Sequence, residues 1–211
     1  MKLYLPLVLL ALQSASQAAI VEFTDRSAFL AALPSHLSTD FSSLTPGDVG
    51  ATTVSLFDVS PAHALLVQSR NATNTAAGDN LWISDAGNLN NALGTSTTFS
   101  DQLLITSNSG FYAIGADWFL GDIDDNYLAG SVTLTFSDGS IYTIASSSQA
   151  DSFRGFLSDS ALSSVRLAST NPGSAPGWAT VDNLAVVPEP SSVLLGGLAS
   201  LGLMARRRRS A

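Results

Sequence analysis

An all-β domain, a jelly-roll-like β-sandwich with one short N-terminal helix, flanked by a signal peptide and a short C-terminal transmembrane helix, is what the sequence predicts. Three observations lead there. Apolar residues recur in short runs with period-two character, as strands with one buried face require. Gly, Asn, Asp, Ser and Pro interrupt those runs roughly every 8 to 12 residues, the turn spacing of sandwiches. Only one internal segment has helical spacing. A β-helix is the alternative architecture, but no fixed repeat period is visible.

The strands are expected, in order, at Ile20–Phe23, Thr52–Val59, Ala64–Ser69, Asn80–Ser84, Gln102–Ser107, Phe111–Leu120, Ser131–Phe136, Ile141–Ala145, Phe153–Leu157, Ser163–Ala168 and Trp178–Val186. The helix follows the first strand. Thr24 or Asp25 caps it, Ala28, Phe29, Ala31, Ala32 and Leu33 form its apolar face, and Pro34 stops it. The hairpin Ser131–Ile144 is the sharpest local prediction. Asp138-Gly139 tolerates the positive φ angles of a type I′ turn, and a two-residue loop sets Phe136 opposite Ile141 and Thr135 opposite Tyr142.

Composition narrows the function classes. The 211 residues include 9 Lys plus Arg and 17 Asp plus Glu, for a formal charge of −8. Lys2 and Arg206, Arg207, Arg208 and Arg209 sit at the two ends. Residues 20–187 therefore hold 4 Arg against 15 Asp and 1 Glu, a net −12. So few cations argue against nucleic acid as a partner. The absence of cysteine removes disulfides, thiolate-held zinc and thiol nucleophiles.

The ends read as addresses. Met1 and Lys2 precede an apolar stretch, Leu3–Leu12, and then a small-residue segment, Gln13–Ala19, a bacterial-type secretory signal with cleavage expected after Ala18. This gives a signal peptide at 1–18, a sandwich domain at 19–187 and a C-terminal segment at 188–211. In that last segment Pro188-Glu189-Pro190 precedes an apolar, Gly-rich run and four Arg. A helix over Ser191–Ala205 would be about 22 Å long at ~1.5 Å per residue, short against a ~30 Å hydrocarbon core unless the Arg side chains snorkel.

Pro188-Glu189-Pro190, a short helix and an Arg cluster in that order resemble the PEP-CTERM sorting signal of Gram-negative bacteria. The resemblance implies an exported protein, recognised and cleaved by a membrane exosortase, held transiently in the inner membrane, and destined for the cell surface or an exopolysaccharide matrix. The tail is a transferable tag that also occurs on some ice-binding proteins, so it indicates a route and leaves the cargo's role open. The body is similar to the β-sandwich cargo of such proteins in its Phe23-Thr24-Asp25-Arg26-Ser27-Ala28-Phe29-Leu30 opening, its Phe153-Arg154-Gly155-Phe156 strand and its closing Trp178–Leu184 segment.

Chemistry is sparse. Asp122, Asp124, Asp125 and Asn126 crowd oxygens on one Gly-containing loop, as a calcium site would, with a solvated acidic loop as the alternative. Carbohydrate-binding jelly rolls, which the body resembles in outline, imply a second calcium pair from the first and last strands, here Glu22 and Asp182. Trp82, Trp118 and Trp178 are candidates for stacking on sugar rings or for core packing, and Trp178 follows a Pro- and Gly-rich loop that places it near a rim. Asp122 and Asp124 could act as a glycoside-cleaving acid pair, but the usual nucleophile-elbow, zinc-protease and phosphate-loop motifs are missing. His36 and His63 stand in loops. The expectation is a non-enzymatic structural or adhesive matrix protein; the alternative is a calcium-dependent lectin-like module, with a secreted hydrolase or an ice-binding protein as further possibilities.

Overall fold

The computed structural model describes residues 18–57, 64–84, 87–89, 91–170 and 177–189. The predicted signal peptide apart from Ala18, His63, Pro190, the C-terminal helix and Arg206 to Arg209 lie outside the described residues. Within them, thirteen strands and one α-helix follow in order: β1 (Ile20–Phe23), α1 (Arg26–Ala32), β2 (Leu37–Thr39), β3 (Gly47–Asp48), β4 (Thr53–Leu56), β5 (Leu65–Arg70), β6 (Leu81–Ile83), β7 (Leu93–Thr95), β8 (Gln102–Gly121), β9 (Tyr127–Leu128), β10 (Gly130–Phe136), β11 (Ile141–Ser146), β12 (Phe153–Ser169) and β13 (Trp178–Pro188). The fold is all-β, as the sequence predicts. No helix among the described residues is long and apolar enough to cross a membrane.

Hydrogen bonding is continuous through one sheet that folds over on itself. The two longest strands make the fold. The first half of β8 lies between β5 and the last part of β12, where β10 and β11 extend the layer. Its second half lies between the start of β12, flanked by β1, and β13. The other edge of β13 carries β7, β6 and β3 at one end and β2 at the other. The crossing is made where the β8–β12 register shifts between Leu157 and Leu162, beside Gly110 at φ +85°. Strands that change layer through bulges in this way turn the corners of a sandwich. Sequence reading divides β8 and β12 into two strands each, with breaks at 108–110 and 158–162.

Period-two burial explains the layers. Val132, Leu134 and Phe136 of β10 and Leu65 and Val67 of β5 point inward from one layer; Ile114, Ala116 and Trp118 of β8 and Val181 of β13 point inward from the other. All belong to one core with Phe41, Phe111 and Phe156, and each fully buried large side chain contributes about 1.5–3 kcal/mol.

α1 covers the outer face of the second layer. Asp25 is its N-cap, with Oδ1 accepting from the Ala28 amide at 2.7 Å. The buried stripe differs from the expected one: Ala28, Ala31 and Ala32 are exposed, and Phe29 and Leu33 are buried. Phe29 seats against Phe23 and Phe153, so the spacing of sheet-facing bulk, not the count of alanines, orients the helix.

The β10–β11 hairpin also corrects its expectation. Thr135 pairs with Ile141 and Leu134 with Tyr142. The Gly139 amide donates to Phe136 O, Phe136 N donates to Ser140 O, and Gly139 takes φ +90°. This is a three-residue loop with glycine in the left-handed position. The one-residue difference turns Ile141 out to solvent, 65% exposed, and Tyr142 and Ile144 inward.

Candidate functional site

The acidic loop that joins β8 to β9 is a tight turn. Asp122 Oδ1 accepts from the amides of Asp124 and Asn126 at 2.9 and 2.8 Å, and Asp122 N donates to Asn126 O. Asp125 sits at φ +56° with its side chain buried, and its Oδ1 accepts from Trp82 Nε1 at 3.1 Å. Two of the residues expected as calcium ligands, Asp122 and Asp125, thus hold backbone amides and an indole. Among the described residues no three carboxylate or imidazole side chains group as a metal site. Asp122 and Asp124 are likewise joined through the turn's backbone rather than set across a cleft as an acid pair.

That indole forms one wall of a cleft of about 210 Å³, lined by Trp82, Trp178, Thr180, Ile123, Asp48, Asp122 and Asp125 among others. The sheet register builds it. Trp82 on β6 is directly opposite Gly94 on β7, and Gly94 is directly opposite Thr180 on β13. Trp178 lies two residues before Thr180, on the same face. Two strand spacings of ~4.8 Å separate the β6 and β13 backbones, and the missing side chain at Gly94 leaves the floor between the two walls open. Gly121, opposite Trp178, widens the same floor.

The walls are fixed by different means. Trp82 is held by Asp125. Trp178 is 8% exposed and packs edge-on to Phe99, with ring centroids 6.4 Å apart. Its Nε1 is buried and has no acceptor in the described structure. An unpaired buried donor costs about 1–3 kcal/mol. Ile123, 74% exposed, stands at the mouth. The arrangement offers the half-buried Trp82 indole beside the largely buried Trp178, a small-residue floor and acidic residues.

Trp118 is not part of it. Its ring is fully buried in the core and its Nε1 donates to Arg154 O at 2.9 Å, so it presents no face to a ligand. Glu22 and Asp182 are also apart. β1 and β13 are separated by β12 and β8, three strand spacings or about 14 Å, too far for one cation. Glu22 instead pairs with Arg154 Nε at 3.3 Å.

Asp182 belongs to a network on the outer face of the second layer. Arg26 donates to Asp117 Oδ1 at 2.7 Å and to Asn183 O at 2.8 Å, and its guanidinium lies 4.4 Å from the Phe153 ring centroid. Asn183, at φ +50° in a β13 bulge, donates from its side chain to Asp117 and Asp182. Burial pushes the Asp182 carboxyl up to about 6, opposed by the Asn183 amide and reinforced by the Asp117 charge.

The last strand leads into the tail. Pro188 closes β13 opposite Phe111, and the Glu189 amide donates to Gly110 O at 3.1 Å. The expected boundary after residue 187 therefore falls inside a strand. Comparison with protein families matches residues 186–209 to the PEP-CTERM protein-sorting motif. The chain carries this sorting motif, consistent with an exosortase substrate and with export. No curated protein and no solved structure matches it.

Proposed function

We propose that this is an exported, non-enzymatic adhesive protein of the cell surface or exopolysaccharide matrix, holding polysaccharide in the Trp82–Trp178 cleft. The observation that carries the reading is the pair of indoles set on either side of a glycine floor. Flat aromatic faces pack against the C–H side of a sugar ring, and hydroxyl-bearing neighbours bond its rim. The cleft is below the ~300–1,000 Å³ of drug-sized sites, which suits a single ring of a longer chain. Ser and Thr, nearly a quarter of the sequence, supply further hydroxyls for glycan contact. Because Asp125 itself holds Trp82, the wall needs no calcium to form, which favours metal-independent binding over a calcium-dependent lectin.

A glycan array probed with the purified chain tests this. Saturable binding that survives a chelator and is lost in both Trp82→Ala and Trp178→Ala supports it; binding indifferent to both substitutions removes the cleft from the mechanism. The route has a separate test. Replacing Pro188-Glu189-Pro190 by alanines leaves the protein uncleaved and membrane-held, and unchanged release would refute exosortase sorting.

A further inference from the structure

We infer that the cleft selects a sugar ring bearing a cationic amino group, such as a de-N-acetylated hexosamine within a polymer. The inference rests on the glycan-binding reading above and adds the ligand's charge to it. The lining contains three carboxylates, Asp48, Asp122 and Asp125, and no Lys, Arg or His. An ammonium group near an indole face is attracted by the ring quadrupole, and the carboxylates add a Coulomb term of the same sign. The same charges repel a uronate.

The three acidic residues come from two places: Asp48 from β3, Asp122 and Asp125 from the β8–β9 turn. Asp48 and Asp122 keep acceptor capacity beyond the bonds they make, since a carboxylate offers about four lone-pair sites. Asp48 accepts from Gly50 N at 2.7 Å and Asn80 Nδ2 at 3.2 Å. The ammonium's donors therefore have acceptors in the cleft, and the ring has the half-buried Trp82 indole beside them.

Calorimetric titration of the full-length chain in detergent with three hexasaccharides decides it: glucosamine hexamer, its N-acetylated counterpart and an oligouronate. The glucosamine hexamer is expected to bind about tenfold tighter than the N-acetylated one, with the advantage shrinking at high salt. The oligouronate is expected not to bind. Asp48→Asn with Asp125→Asn should erase the advantage while tryptophan fluorescence stays native, because Asn keeps an acceptor for Trp82 and tolerates the left-handed backbone. Equal affinity for the charged and N-acetylated hexamers overturns the inference and leaves glycan binding standing. Failure of all three to bind overturns both, and choline competing as well as glucosamine would show that the cleft reads a cation without the sugar.

Discussion

Gly115 and Gly155 are directly paired across β8 and β12, and the ring of Phe29 lies on the flat they leave. A Cβ at Gly115 would stand 2.5 Å from the ring, and one at Gly155 2.4 Å. Gly155→Ala is expected to cost about 1–3 kcal/mol by overpacking. Phe29→Ala is expected to cost about 3–5 kcal/mol, and in that background the glycine substitution should become nearly neutral. Urea unfolding midpoints of the four proteins in this cycle measure the coupling.

Stability carries an imprint of Asp182. Its folded pKa of about 6 lies above its ordinary 3.8, so the folded state holds its proton more tightly than the unfolded chain. The stability this group contributes is complete below pH 3.8 and is lost as pH rises to about 6, by roughly 1–2 kcal/mol after solvent screening. Asp182→Asn should flatten thermal stability between pH 4 and 6 and raise it at pH 7. Asp151 acts in the other direction. The Ser147 hydroxyl and Ser148 amide hold it down to about 2, so its contribution is present above pH 3.8 and fades as pH falls toward 2. Asp151→Asn should lessen the destabilisation seen on acidification.

The β10–β11 turn has a backbone test. Gly139 has open space around its α-carbon but φ +90°, so Gly139→Ala meets strain and no clash. The expected loss is about 1–2 kcal/mol. Asp138→Ala removes the acceptors of Ser140 N and Oγ and should cost about 1 kcal/mol by equilibrium denaturation.

The Trp82 wall depends on Asp125. Asp125→Ala loses the indole's acceptor and places a β-carbon residue without side-chain hydrogen bonding at φ +56°, for an expected cost of about 1–3 kcal/mol. Asp125→Asn should cost little. Emission of the Trp82 indole, read with Trp118 and Trp178 replaced by Phe, should shift in the first variant and hold in the second.

The sequence revealed what is encoded locally. Asp25 caps its helix from three residues away, β5 and β10 alternate, and the sorting segment is a linear word. Register is a different matter: whether Gly139 ends a two- or three-residue loop depends on which face of β11 finds the core. β2, β3, β7 and β9 span two or three residues each, too short for periodicity to register. The cleft depends on pairing across three strands, so Trp82 and Trp178, 96 positions apart in the sequence, become neighbours only once Gly94 lies between them. The crowded aspartates announced themselves as a metal loop because composition shows charge and hides its direction. Asp125 turns inward to an indole.

β13 is both the seam of the second layer and the lead-in to the sorting motif. It joins β8 to β7 and β2, and among the described residues no strand follows it. Any chain cut short before Trp178 lacks the strand that gathers the cleft and also lacks the address. The cleft and the sorting motif therefore depend on the same C-terminal stretch of chain.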